Sequence, residues 1–220
     1  MKKIFLMVAV MIAAVSASFA QDFTFGARIG MNVANIGGDG DKLEPKIGLK
    51  AGVVGCFPLV DNVYLEVGAF YAPKGAKNSE SNTIMGVKVN QDYTVKLNYI
   101  EIPICGVYKY EISSNFAVRG HFGPYFGVGL FGNEKLEING STKNSEAGLA
   151  GYKLKAFSSK SDECNYKRFD VGLNVGAGIE FSACYLGVQY GAGLSNFNSK
   201  NNKDYKMHNN VFSVDFGFNF

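Results

Sequence analysis

Val211-Phe212-Ser213-Val214-Asp215-Phe216-Gly217-Phe218-Asn219-Phe220 closes the chain, and in it Phe212, Val214, Phe216, Phe218 and Phe220 alternate with Ser213, Asp215, Gly217 and Asn219. A period of two sends successive side chains to opposite faces, so this is a strand with one phenylalanine-rich and one polar side, not an amphipathic helix. In water such a row of phenylalanines is an aggregation surface. Between lipid and a polar interior it is what a membrane-spanning strand requires.

Seven earlier segments obey the same rule. The first sets Phe23, Phe25, Ala27, Ile29, Met31 and Val33 against Thr24, Gly26, Arg28, Gly30 and Asn32. The second opposes Ile47, Leu49, Ala51, Val53 and Phe57 to Gly48, Lys50, Gly52 and Cys56, and the third Val63, Leu65, Val67, Ala69 and Tyr71 to Tyr64, Glu66, Gly68 and Phe70. The fourth, around Tyr93 to Tyr110, opposes Ile100, Ile102, Ile104 and Tyr108 to Glu101, Pro103, Cys105 and Lys109. In the fifth, Phe116, Val118, Phe122, Phe126, Val128 and Leu130 alternate with Ala117, Arg119, His121, Tyr125 and Gly127. The sixth sets Phe169, Val171, Leu173, Val175, Ala177, Ile179 and Phe181 against Arg168, Asp170, Asn174 and Glu180; the seventh sets Leu186, Val188, Tyr190, Ala192 and Leu194 against Tyr185, Gly187 and Gln189.

The expected fold is therefore all-β: an eight-stranded antiparallel up-and-down transmembrane β-barrel. Connection lengths support it. Pro58 to Asn62, Glu111 to Ser114 and Ser182 to Ala183 are short, whereas Asn35 to Pro45, Ala72 to Asp92, Gly132 to Asn165 and Asn196 to Asn209 are long and polar. Membrane barrels place short turns in the periplasm and long loops outside. Within 132–165, Lys135 to Ile138 and Tyr152 to Phe157 alternate again and read as a hairpin extending strands five and six above the membrane. The segment 72–92, with Lys74, Lys77, Glu80 and Asn82, reads as a flexible polar lid.

Alternation alone does not fix which face points outward; the reverse choice gives a soluble barrel around a greasy ligand. The polar set favours the membrane. It carries Arg28, Lys50, Lys109, Arg119 and Arg168 with Glu66, Glu101, Asp170, Glu180 and Asp215, plus His121, among many glycines. Balanced charges beside glycine suit the crowded lumen of a narrow barrel, so these residues are expected to form a luminal charge network rather than an open pore.

Lys2 and Lys3 precede the apolar run Ile4 to Val15, and Ser18-Phe19-Ala20 supplies small residues where a signal peptidase reads. Residues 1–20 are thus an expected signal peptide, with the barrel domain at 21–220 and export to the outer membrane of a Gram-negative cell. Basic and acidic residues number 22 and 19, and losing Lys2 and Lys3 leaves the chain almost neutral. That balance argues against nucleic acid as a partner. Cys56, Cys105, Cys164 and Cys184 lack paired spacing, so packed free thiols are expected rather than a metal site or a disulfide framework.

Two segments carry a family resemblance: Tyr99-Ile100-Glu101-Ile102-Pro103-Ile104 and the ending Phe216-Gly217-Phe218-Asn219-Phe220. Together with the leader they make the chain resemble the PorT-like outer-membrane β-barrel family, although Cys105 and Gly106 replace its commoner leucines and lysine. The resemblance implies a barrel in the outer membrane and carries over no activity. The terminal aromatics Phe216, Phe218 and Phe220 resemble the signal read by barrel-assembly machinery.

Other motifs have plainer readings. Gly127-x-Gly129-x-x-Gly132 matches a dinucleotide fingerprint, but it continues a strand and opens no helix, so it reads as glycine inside a narrow barrel. His121 beside Arg119, and His208 near Ser195 and Asp204, are the two histidines available to a lipid-modifying barrel enzyme built on a histidine and a serine; no spacing fixes a nucleophile or an orienting group. The carboxylates Asp170 with Glu180, and Glu66 with Glu101, read as structural partners of the luminal cations, so Glu101→Leu is expected to impair folding rather than turnover. The expectation is a non-enzymatic barrel with no cofactor or metal, in contact with outer-membrane lipid and meeting any extracellular partner through loops 72–92 and 132–165. A small porin-like channel, a His-dependent enzyme and a soluble carrier are the alternatives.

Overall fold

Among the described residues alternation becomes nine strands: β1 (Thr24–Gly38), β2 (Glu44–Val60), β3 (Val63–Ile84), β4 (Val87–Ser113), β5 (Phe116–Thr142), β6 (Ser145–Lys155), β7 (Phe169–Phe181), β8 (Cys184–Gly193) and β9 (Met207–Asn219). The structure, a computed structural model, describes residues 23–38, 43–84, 87–142, 145–157, 166–196 and 207–220. The expected leader 1–20 and Cys164 lie outside the described residues.

Eight strands close a ring in the order β1-β2-β3-β4-β5-β7-β8-β9, with β9 pairing back onto β1 and every pairing antiparallel. The last strand is the seam. Phe216 stands opposite Ile29 on one side and Leu186 on the other, and the Phe220 amide donates to the Phe25 carbonyl at 2.6 Å. Closure removes every free edge from the spanning part of the sheet, which an aqueous or lipid surround would otherwise leave unpaired.

Exposure decides the facing. Phe212, Val214, Phe216 and Phe218 are 45%, 44%, 46% and 45% exposed, while Ser213 and Asp215 between them are 2% and 6%. The apolar set is outside and the polar set fills the interior, as a lipid-facing barrel of eight strands demands. Phe57 is the exception: it lies buried beneath Phe23, ring centroids 4.9 Å apart, because Gly55 leaves room for the Phe23 ring.

The three short connections are two-residue turns, at 61–62, 114–115 and 182–183. The long connections differ from the sequence reading. The segment 72–92 is not a loose lid: β3 and β4 stay paired from Ala72↔Tyr99 out to Ile84↔Val87. β5 likewise runs on to Thr142 and pairs with β6, so the hairpin expected from Lys135 to Phe157 is present, but its second arm is a separate ninth strand rather than an extension of β7. Together the outer parts of β3, β4, β5 and β6 make a four-stranded sheet that continues beyond the apolar band.

Two irregularities shape the lumen below that sheet. Between Pro45↔Ala76 and Ala51↔Tyr71 the β2–β3 ladder lapses, and Pro73–Ala76 is buried on both faces, with the Asn32 amide donating to the Pro73 carbonyl at 3.3 Å. Gly75 adopts φ +136° there, hard against the Val95 carbonyl, where a Cβ has neither room nor an allowed conformation. In β5 the register skips Leu130 between Tyr99↔Gly129 and Asn98↔Phe131, a bulge that leaves Leu130 and Phe131 both exposed and turns Gly132 and Glu134 inward.

Candidate functional site in the lumen

Large polar side chains fit a narrow barrel only where their neighbours are small. Gly178 and Gly187 leave space for Tyr185, Gly172 for Tyr125, and Gly26 and Gly217 for Arg28. The space so made holds two separate groups of charges, one at each end.

At the short-turn end Arg119 is 3% exposed and bonds two carboxylates: Nη2 to Glu66 at 2.6 Å and Nη1 to Glu180 at 3.0 Å. Glu180 also holds Lys109 at 2.9 Å, and the Cys56 thiol donates to Glu66 at 3.6 Å. Arg28 lies over one face of the Tyr185 ring at 4.2 Å, and the Arg119 guanidinium is 5.2 Å from the same ring. Below this group a cavity of about 400 Å³ opens, lined among others by Arg28, Cys56, Lys109, Arg119, Glu180 and Phe220.

Toward the long-connection end, Lys74 is 2% exposed and sits between Glu101 at 2.8 Å and Asp170 at 3.0 Å. Its ammonium lies over Tyr125 at 4.2 Å. Asp170 is fully buried and collects further donors: Asn209 at 2.9 Å, Tyr125 at 3.4 Å and the Ser195 hydroxyl at 2.8 Å. Its carboxylate is thus met by donors from several sides. Between the two groups Lys50 pairs with Asp215 at 2.9 Å, and Ser213 donates to Asn32 at 2.9 Å. The void beside them, lined by Lys50, Lys74, Glu101 and Asn174, measures about 10 Å³, room for about one water.

Above Lys74 the interior becomes apolar. Val95, Leu97 and Tyr99 are fully buried and pack with Ile36, Ala76, Ala156, Phe157 and Tyr166. Gly129 admits the Phe157 ring and Gly132 the Ala156 methyl group, which is the structural use of the glycine motif in β5. The Tyr166 hydroxyl donates to Glu134 at 3.2 Å and lies 3.2 Å from that of Tyr93; burial pushes its phenol well above the ordinary range, and Tyr93 and Glu134 add to the rise.

The sequence matches the family described as Outer membrane protein beta-barrel domain over residues 19–199. The chain belongs to that family. It is accordingly an outer-membrane β-barrel protein whose exposed apolar band contacts outer-membrane lipid. No curated protein matches it. Among solved structures it is similar to Ail, the attachment invasion locus protein of Yersinia pestis, at 14% identity and TM-score 0.43, covering 91% of this chain and 100% of that one. It is also similar to Neisserial surface protein A, at 14% identity and TM-score 0.42 over 90% and 97% of the two chains. The N-terminal β-barrel domain of Pseudomonas aeruginosa OprF follows at 11% identity and TM-score 0.27 over 88% and 97%.

Within this outer-membrane barrel the expected site residues do not form one network. Arg28, Glu66, Lys109, Arg119 and Glu180 gather at the short-turn end, Glu101 and Asp170 near the other, and Lys50 with Asp215 between. The carboxylates pair differently from the sequence reading: Glu66 and Glu180 share Arg119, and Glu101 and Asp170 share Lys74. Arg168 is not in the lumen. It is exposed just before β7, where it donates to the carbonyls of Gly129 and Phe157, because the Phe157 ring takes the inward place above Gly129.

Lys74, expected in the lid, is instead the luminal cation that Glu101 and Asp170 share. Its signal is the unbroken inward parity of Glu66, Gly68, Phe70, Ala72 and Lys74 along β3. The terminal residues Phe216 and Phe218 lie on the outer face with their rings edge to face at 5.6 Å, and Phe220 stacks on Phe25 at 6.4 Å.

Among the described residues neither histidine contacts a nucleophile's hydroxyl or thiol. His121 Nε2 is 3.2 Å from the Gln189 side-chain oxygen, and His208 Nδ1 is 3.1 Å from the Ser195 backbone carbonyl rather than its hydroxyl. That hydroxyl already donates to Asp170 and accepts from the Val171 amide. The histidine is thus not on the serine hydroxyl, and the carboxylate that is there, Asp170, is also bound to Lys74, Asn209 and Tyr125. Cys56, Cys105 and Cys184 are free thiols, and among the described residues no cluster of His, Cys, Asp and Glu has the grouping a metal needs.

Proposed function

We propose that this outer-membrane barrel is a closed, non-enzymatic anchor that carries an outer sheet for surface interaction. The observation that carries the reading is the pairing of a lumen filled around Lys74 with strands β3 to β6 that continue past the lipid-facing band. A route for ions would have to pass a void of about one water and then the apolar cap of Leu97, Tyr99 and Phe157. The luminal charges serve as mutual partners that fix the strands, and any extracellular partner meets the hairpins within 72–92 and 132–165. The edge strand β6, unpaired on its far side among the described residues, offers backbone groups for strand addition.

The same reading includes the finer expectations: residues 1–20 as a cleaved signal peptide, membership of the PorT-like subgroup, and recognition of Phe216, Phe218 and Phe220 by barrel-assembly machinery. It is tested on intact cells and on purified protein. A membrane-impermeant amine reagent should mark Lys77 and Lys135, whose side chains are 51% and 45% exposed on the outer sheet, and spare Lys50 and Lys74 at 4% and 2%. Purified barrel in planar bilayers should show no steady conductance. Stable single-channel currents, or labelling only after the cells are opened, overturn the reading.

A further inference from the structure

The short-turn end of the lumen gathers three cations around one cavity. Three cations, Arg28, Lys109 and Arg119, line its cavity of about 400 Å³ together with Glu180 and the last residue, Phe220, while Glu66 is held by Arg119. Glu111 stands 3.8 Å from Lys109 but is an exposed rim residue. Arg119 takes both enclosed carboxylates and Lys109 shares one of them.

Arg28 is left with neutral partners. It is 5% exposed, and its guanidinium donates to the Ala27 carbonyl at 3.3 Å, the Phe218 carbonyl at 3.2 Å and the Asn219 side chain at 2.7 Å, with no carboxylate in ion-pair reach among the described residues. The Tyr185 ring covers one face, and the absence of side chains at Gly26 and Gly217 seats it. The direct hydrogen bonds of Arg28 all go to neutral groups, and Glu66 and Glu180 act on it only at longer range, so an oxyanion entering the cavity would be its first directly bonded charge partner among the described residues. Arg119 lies beside Arg28 with both Nη groups given to Glu66 and Glu180, and its buried Nε has no partner among the described residues. Both arginines line the cavity.

We propose that this vestibule is a binding site for a compact oxyanion, a carboxylate or a phosphate group, taken from the short-turn side with Arg28 as its principal ligand. The remaining volume is of the size that holds a small organic molecule attached to that group. A guanidinium presents paired N–H donors matched to two oxygens of such a group, which selects oxyanions over chloride. The Tyr185 ring holds the fork in place, so little ordering remains to be done on binding.

The test uses purified full-length barrel in a neutral detergent and an anion-poor buffer, titrated separately with inorganic phosphate and with acetate and followed by calorimetry. Binding of one equivalent of either anion is expected, weakened at least tenfold in Arg28→Gln and unchanged in Lys77→Gln on the outer surface. Which of the two anions binds distinguishes a phosphate ligand from a carboxylate one. Wild-type arginine side-chain NMR keeps the proposal testable if the Gln variant does not fold: the Arg28 Nε resonance should move on titration and that of Arg168 should not. Binding of neither anion, undiminished binding in Arg28→Gln, or an Arg28 resonance that stays still overturns the proposal.

Discussion

The two ends of the lumen obey the same alternation and end in different states. Around Lys74 the charges are capped by Val95, Leu97, Tyr99 and Phe157, and the space left is about 10 Å³. Around Arg119 similar charges face a cavity of about 400 Å³ that opens at the turns. What separates them is the direction in which the strands continue. At the outer end β3, β4 and β5 run on and fold apolar residues back over the lumen, whereas at the other end two-residue turns stop the chain and leave water access. A charge in the first group has only its protein partners, and one in the second can be rehydrated.

The largest consequence is expected at Lys74. Lys74→Met leaves Glu101 and Asp170 buried together without a cation, which should cost about 3–5 kcal/mol, the range seen when one partner of a buried pair is removed. Urea unfolding in detergent, read by the loss of the heat-sensitive gel shift, measures it. Glu101→Leu should cost distinctly less, since Lys74 and Asp170 remain as a pair. Equal costs for the two variants would mean that the lysine does not bridge both carboxylates.

Next comes the cap itself. Leu97→Ala opens a hole among fully buried neighbours, for which about 2–4 kcal/mol is the usual loss. It tests whether the outer end is sealed by packing. A loss well under about 1 kcal/mol would show that the cap is loose and that the dryness around Lys74 has another cause.

This pattern explains which features were legible in the sequence. The ring of eight strands could be read because lipid on one side and a polar lumen on the other impose a period of two that neighbouring segments repeat. Pairing across the lumen could not, because the partner of Arg119 or Lys74 is set by strand stagger, which no single segment encodes. The cap was hidden by a change of phase in β4: apolar residues occupy 93, 95, 97 and 99 and then 100, 102 and 104. Such a switch usually marks a bulge, but β4 keeps its parity through this stretch, and the first set faces an apolar interior while the second faces lipid. Lys74 was missed for the related reason that lysine beside proline and glycine looks like a loop, although its parity with Glu66 and Phe70 is unbroken.

At the open end the same kind of substitution should do less. Arg119→Gln removes the shared cation of Glu66 and Glu180, but Lys109 still holds Glu180, and the Glu66 side chain is already 16% exposed to water. About 1–3 kcal/mol is expected, below the Lys74→Met loss under identical conditions. A cost equal to or above it would remove the distinction between a dry end and a wet one.

The smallest effect belongs to the outer sheet. Lys77 and Glu44 meet at 3.2 Å with side chains 51% and 55% exposed, so water already screens the pair and both chains must be ordered to hold it. Lys77→Ala should change the unfolding free energy by under about 1 kcal/mol, with that small difference shrinking as salt is raised. The pair joins β2 to β3 just beyond the lapse in their ladder, where fewer backbone bonds hold the two strands together. A larger, salt-insensitive loss would mean that the ladder beyond the lapse depends on this contact, and that the outer sheet is stabilised from its rim rather than from the cap beneath it.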